Sequence, residues 1–335
     1  MATPAPNAAI LTRTHWAGVA ADNDIHLEMY EGDIEGSFMY NSIFRAGGLT
    51  SFKSVANSTN VWRGDRVGNV KVSGRKSGEG MAGSRVANEK FLITVDTVTY
   101  IRTVFDEADD WTSPDYRSQY SREHGIAHAK SFDEAHIIQL IKCAAFVTPD
   151  SLKGAFQDGI GRTMTGLNAA VTDEDKADIV VKHHRKIVEE FIDRDQGNGE
   201  GALSIMRPAL FSILVEHKKL MNVEFMQGAP GEGGNNYALR RVGILNGIRV
   251  METPRFPKAA NSDHPLGPTF AVSAAEAKAA MITFFPASVL VTVEAKPMTV
   301  RWIPMPQDQQ QYLDSFTMYT VGQRRPDACA VSFYE

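Results

Sequence analysis

The amino-acid sequence predicts an α+β chain with long excursions, not a regular βαβ alternation. Three observations carry this reading. Strand-like windows cluster after Met281, behind an irregular mixture of helices and loops. One helical window runs from Ser113 to Val147, about 34 residues or ~50 Å at 1.5 Å per residue. The window Arg63–Lys90 is rich in glycine and basic residues and poor in apolar ones.

Met1 to about Asn60 reads as a mixed lead-in without a core of its own, so an extended arm is expected. Its best helical stripe lies in Ile25–Phe44, carried by Leu27, Tyr30, Ile34 and Phe38 and weakened by Gly32 and Gly36. Arg63–Lys90 holds six glycines and seven basic residues against three acids. Val70-Lys71-Val72 alternates like a strand, and Phe91–Val95 reads as its partner. A two-stranded ribbon with a glycine-rich tip is expected. Ordering its backbone costs about 1–2 kcal/mol per residue. Five larger apolar side chains return only about 1.5–3 kcal/mol each. The ribbon is therefore expected to be flexible or ordered by a partner surface, another copy of the chain included.

The long helix starts well: Ser113 suits the N-cap, Pro114 the first helical position and Asp115 the first turn. Pro149 is the next stop. Its apolar stripe (Tyr116, Tyr120, Ala127, Ala135, Ile138, Ile141, Ala145) is narrow, with Gly125 as the weak point. A spine lying along a sheet, with most of its circumference wet, is expected. Turn-rich residues follow to Asn168. Thr172 with Asp175 then opens a helix to Asp195 whose apolar face is Val180, His184, Ile187, Val188 and Phe191. Leu203–Met206 reads as a strand, and Pro208 opens a helix to about Met221. Gln227–Asn236 is a second glycine-rich loop. Ile248–Glu252 is a strand behind an Asn246-Gly247 turn. Strands are expected at Met281–Phe285, Val289–Glu294, Met298–Ile303, Phe316–Val321 and Ala328–Phe333.

Composition excludes several classes. The 335 residues are 43% hydrophobic and 22% charged, as in ordinary globular proteins. A net charge of −5 argues against a chain built to hold nucleic acid by counterion release. Cys143 and Cys329, far apart, make neither a disulfide framework nor a zinc ribbon and fit a reducing compartment. No signal peptide is expected at Met1–Gly18. Met281–Val293 is too short to span a bilayer, so no membrane partner is expected.

The motifs argue against a cofactor. Gly78-Glu-Gly80-Met-Ala-Gly83 matches G-x-G-x-x-G, but a strand follows it, and no helix brings its dipole to a pyrophosphate. Gly74-Arg-Lys-Ser77 lacks the order of a phosphate loop. His124 and His128 share a helix face, yet Gly125 stands where a zinc protease needs glutamate. A soluble metal-dependent enzyme using these two histidines is the rival from a different class. No Gly-x-Ser-x-Gly elbow is present, and neither cysteine has the surroundings of a nucleophile. The basic ribbon has no interleaved aromatics between Arg63 and Lys90 for stacking on bases. An inter-subunit contact is the preferred reading. Its candidates are Arg63, Arg66, Lys71, Arg75, Lys76 and Arg85, with Asp106, Glu107, Asp109 and Asp110 as complementary acids.

The order of parts and four local motifs resemble one family. Asp115–Gly125 carries an Asp-x-Arg-Ser-x-Tyr pattern followed by glycine, and Lys90–Asp96 a strand leaving a long loop. Gly247–Pro254 reads Gly-x-x-Val-x-x-x-Pro, and Gly322–Phe333 reads Gly-x-x-Arg-Pro-x-x-x-x-Val-x-Phe. Together they resemble the major capsid proteins of tailed double-stranded DNA phages, with the Hong Kong 97-type fold. The likeness is nearest to short-tailed podoviruses of the coliphage T-seven kind. It spans roughly residues 25 to 335 and is poor at Asp150–Asn168 and Ala259–Pro268.

The resemblance implies a non-enzymatic shell subunit of the virion, assembled in the host bacterial cytoplasm, without cofactor, catalytic residue or metal. It implies an N-terminal arm at 1–60 and an extended loop, the E-loop, at 61–95 lying over a neighbour. A peripheral domain with the spine helix is expected at 96–148 and 293–321, and an axial domain at 149–292 and 322–335. Expected partners are further copies as hexamers and pentamers, a scaffolding protein, a portal and a decoration protein. Packaged double-stranded DNA is expected to be contacted weakly and non-specifically. An encapsulin-like compartment shell protein is the alternative with the same fold.

Overall fold

The computed structural model describes residues 42–46, 48–56, 59–68, 70, 72–81, 83, 85–106, 116–196, 201–217 and 243–335. The stripe at Ile25–Phe44 falls outside them except for its end, as do Lys71, Ser113–Asp115, Met221 and the loop Gln227–Asn236. In chain order the elements are α1 (Ile43–Ala46), β1 (Ser51–Ser54), β2 (Val61–Val67), β3 (Asn88–Thr94) and β4 (Val98–Asp106). Then come α2 (Tyr116–Lys142), β5 (Ile160–Met164), α3 (Asp173–Asp193), β6 (Leu203–Met206) and α4 (Pro208–Val215). The rest is strand: β7 (Ile244–Leu245), β8 (Ile248–Glu252), β9 (Ala279–Phe284), β10 (Leu290–Met305), β11 (Gln310–Gln323) and β12 (Cys329–Tyr334).

The chain forms two compact units. The described part of the smaller one comes from Val98–Ala129 and Met298–Thr317. Within it Thr99 Oγ1 donates to Thr317 O at 3.2 Å, and Phe105 packs on Leu313. Arg102 forks onto Asp314 with two contacts of 2.6 Å.

The larger unit comprises Ser42–Thr97, Lys130–Pro297 and Met318–Glu335. Its centre is a six-stranded sheet in the order β5-β12-β9-β6-β8-β7. One apolar cluster joins the last turns of α2 (Ile137, Ile138, Ile141) to Ile205, Ile282 and Val331. A second joins α3 and α4 (Val180, Phe191, Leu210) to Met206, Met281 and Ala330. Helices thus cover both faces, which is why every residue of β6 and β9 is buried. The turn between β7 and β8 has positive φ at Asn246 (49°) and Gly247 (83°), as the Asn-Gly pair predicts. Thr172 caps α3, accepting from Asp175 N at 3.2 Å, and the five expected apolar-face residues of α3 are buried.

Several elements differ from expectation. Val70 and Val72 are not in a strand; the ribbon pairs β2 with β3, from Val61↔Thr94 to Val67↔Asn88. Trp62 and Phe91, which meet edge-on at 5.6 Å, supply packing that two valines on a bare loop lack. The spine helix ends at Lys142, tightens into a 3-10 turn at Cys143–Ala145, and leaves Ala145 and Val147 exposed. Nor is its last third wet: Phe132, Asp133 and every residue from Ala135 to Ile141 are buried, because core wraps it there on several sides. α4 stops at Val215. The expected strands Val289–Glu294 and Met298–Ile303 are one strand, β10, with Pro297 inside it. Its parallel partner β1 pairs only as far as Glu294, so the proline's missing N–H falls beyond that ladder. β1, β4, β5 and β7 lie where no local pattern marks a strand.

Two histidines of the larger unit set an acid limit. His136 is fully buried on α2, hydrogen-bonded to Phe132 O at 2.7 Å and Thr292 Oγ1 at 2.7 Å. His184 is fully buried on α3, bonded to Ser204 Oγ at 2.9 Å. Burial holds each near a pKa of about 4, well below the ordinary histidine value. The unfolded chain therefore takes up protons first as pH falls. Stability is complete above pH ~6.5 and is lost down to pH ~4, by up to roughly 3 kcal/mol per histidine. Urea midpoints measured from pH 7 to 4 should fall steeply across this window, and His136→Gln should flatten the slope. A midpoint independent of pH there contradicts this assignment.

Candidate subunit-contact surface

The ribbon is held at its root by its own chain. Val55, Ile93 and Val95 form a buried cluster with Val291 and Val293, and Trp62, Phe91 and Met318 pack against it. Two glycines permit the approach. A Cβ at Gly322 would run into Ile93 Cδ1, and one at Gly64 into the Phe91 ring. The root thus has packing partners within its own chain. Trp62, Phe91 and Ile93, at the borders of Arg63–Lys90, supply apolar packing that this window alone lacks.

Arg66 completes the root. Its Nη2 donates to Gln323 O at 3.0 Å and its Nε to Arg324 O at 3.1 Å. Its guanidinium lies 4.7 Å from the Phe91 ring centre and 5.3 Å from that of Phe146, and Glu89 stands at 3.8 Å. Burial lowers its pKa, with Glu89 opposing. Such a stacked, forked arrangement is specific to arginine. Arg66, expected to reach a neighbour, is engaged within its own chain. Arg66→Lys should therefore fail to replace it. Both Arg66→Lys and Arg66→Ala are expected to lower stability by about 1–3 kcal/mol. Denaturant unfolding checks this, and a lysine variant as stable as the parent argues against the clamp.

Beyond the root the chain is open. All described residues from Val72 to Met81 are exposed. A tight turn closes the tip: Glu79 N donates to Lys76 O at 3.1 Å, and Lys76 N to Glu79 Oε2 at 3.0 Å. Arg75 Nη1 donates to Glu79 O at 2.7 Å. Gly78, with φ +92°, makes the turn possible. Arg63, Arg75, Lys76 and Arg85 are all exposed. The ribbon thus presents cations and bare valines beyond a packed root. Of the acids expected opposite them, Asp106 ends β4 half-buried, while Glu107, Asp109 and Asp110 lie outside the described residues, as does Lys71.

The helical histidines are accounted for differently. His124 Nδ1 and His128 Nε2 both lie 3.0 Å from Ser315 Oγ, and His124 Nε2 lies 2.6 Å from Thr103 Oγ1. Both are buried, and burial lowers both pKa values. Two neutral rings sharing one hydroxyl pin the helix to its sheet. The sequence showed that they share a face and could not show what lies across from it.

Comparison with solved structures places this architecture. The mature capsid of bacteriophage PhiM1 is 42% identical over 99% of both chains, with a TM-score of 0.79. The chain belongs to the bacteriophage capsid proteins. The capsid structure of cyanophage P-SCSP1u is similar at 20% identity, covering 93% of this chain and 94% of that one, TM-score 0.74. A virus-like particle from Pyrococcus furiosus shares the fold alone, at 11% identity, 89% and 95% coverage and TM-score 0.51. No protein-family model and no curated protein matches the sequence. The fold of this capsid protein is the Hong Kong 97 type, with the α+β character and spine helix expected. Its place is the virion.

Proposed function

We propose that this protein is the repeating, non-enzymatic subunit of an icosahedral phage head, built as hexamers and pentamers around double-stranded DNA. The full-length 42% identity to the PhiM1 mature capsid carries the reading. The podovirus assignment belongs to it, as do a scaffolding protein, a portal and a decoration protein as partners. In this reading 1–60 is an arm and 61–95 the loop that lies over a neighbour. Segments 96–148 and 293–321 form the peripheral domain; 149–292 and 322–335 form the axial one. Packaged DNA meets a mildly acidic chain and is contained without tight binding. Electron microscopy of the purified chain, alone and with scaffold, tests this: uniform closed shells support it, and a stable monomer under both conditions overturns it. Shells that fill with DNA through a portal separate a phage head from an encapsulin-like compartment.

The contact surface within this proposal is the exposed part of the ribbon. Arg66 drops out of it, being the root clamp. Arg63→Glu, Arg75→Glu and Arg85→Glu combined should block assembly while leaving the monomer's urea midpoint unchanged. Each exposed pair contributes only about 0.2–1 kcal/mol, and repetition over a shell makes the sum decisive. Normal particle yield from the triple variant counts against the ribbon as an interface.

A further inference from the structure

Cys143 and Cys329 are the chain's two cysteines, both fully buried and both unbridged. More than half of the sequence separates them. Cys143 begins the 3-10 turn after α2, and Cys329 begins β12 in the central sheet. The fold brings both thiols to the same turn at the end of α2, within one apolar cluster. Each also donates to the last turns of α2: Cys143 Sγ to Gln139 O at 3.3 Å and Cys329 Sγ to Leu140 O at 3.7 Å.

We propose that the pair is a latent intrachain disulfide, closed by a small peroxide once the protein leaves reducing surroundings. The balance is simple. One sulfur takes an oxygen from hydrogen peroxide, giving a sulfenic acid and one water. The second sulfur attacks the first, the S–S bond forms, and a second water leaves. Two thiols and one peroxide become one disulfide and two waters. Burial sets the rate. It pushes the Cys329 thiol up, which keeps the reactive thiolate scarce while β12 is docked. The reaction therefore follows local opening and is slow. The product ties the end of the spine helix to the central sheet and closes a loop long enough to restrict the unfolded chain strongly.

The experiment uses the full-length purified chain, so its outcome is independent of whether shells form. The chain is held in dilute hydrogen peroxide, denatured in the presence of an alkylating agent, and mapped by mass spectrometry without reduction. The linked Cys143–Cys329 peptide should replace the two alkylated peptides. The unfolding midpoint should rise by roughly 5–10 °C and return on treatment with dithiothreitol. Cys329→Ser should show neither change. Because that variant can fail to fold, the parent's peptide map decides. Two freely alkylated cysteines, unlinked sulfinic acids, or bridges between chains would each overturn the proposal.

Discussion

Replacing Gly159 by alanine is expected to lower the stability and soluble yield of the capsid protein sharply. A Cβ at this position collides with Cys143 O and falls 2.9 Å from Cys143 C and 3.1 Å from Ala144 C. All three are backbone atoms of the turn that ends the spine helix, so no side chain can swing away. The neighbourhood is also fixed by a hydrogen bond, Gly159 N to Phe146 O at 2.8 Å. Relief requires moving the 3-10 turn or β5, whose first residue is Ile160. A cost on the order of 4 kcal/mol takes a large share of a typical folding free energy of about 5–15 kcal/mol. Gly125→Ala makes the contrast. Its Cβ meets nothing within 4 Å, in the middle of a helix, so it should stabilise by about 0.5–1 kcal/mol. Soluble yield and urea midpoints of the two variants read both signs, and a well-folded Gly159→Ala protein contradicts the close approach.

Asp133→Ala is expected to cost about 3 kcal/mol and to release the chain around α1. Asp133 sits on α2 with 1% of its surface exposed. One oxygen accepts from Ser42 Oγ at 2.5 Å, and the backbone N–H groups of Ile43 and Phe44 donate to the carboxylate at 3.0 and 3.4 Å. It is thus an N-cap for α1 supplied from ninety residues away. Burial raises its pKa, and the three hydrogen bonds oppose that rise. Without the carboxylate, buried N–H groups lose their acceptor at about 1–3 kcal/mol each. Phe44, fully buried against the His136 ring at 4.8 Å, would lose its seat. Asp133→Asn keeps one acceptor and should lose about half as much. Protease sensitivity near residue 44 reports the release, and unchanged cleavage in Asp133→Ala would contradict it.

These two sites show where sequence reading stops. α3 was legible because its cap, its acidic first turn and its apolar face are all local. The β7–β8 turn was legible because Asn-Gly has few other uses there. The spine helix was legible in place and type, while its wet circumference was misjudged: Gln139 and His136 look polar in sequence and are buried by bonds to distant partners. Gly159 and Asp133 act through contacts whose partners lie far along the chain or in backbone, and neither leaves a periodic signal. Glycines and charges mark the ribbon, but its first strand, Val61–Val67, precedes the alternating Val70-Lys71-Val72. Root packing depends on Trp62, Phe91 and Ile93 meeting β10, which no local window contains. Arg66 looked like any surface cation until the Gln323 and Arg324 carbonyls stood beside it.

The Arg66 clamp has a mechanical meaning. Gln323 ends β11, and β12, between β5 and β9 in the central sheet, begins six residues later. A tug on the paired strands meets a packed and clamped root. It passes along the two paired strands to a guanidinium fork and from there into peptide planes a few residues from the central sheet. The ribbon is a lever clamped at its fulcrum, so strain gathered far from the body registers close to where the C-terminal strand enters it.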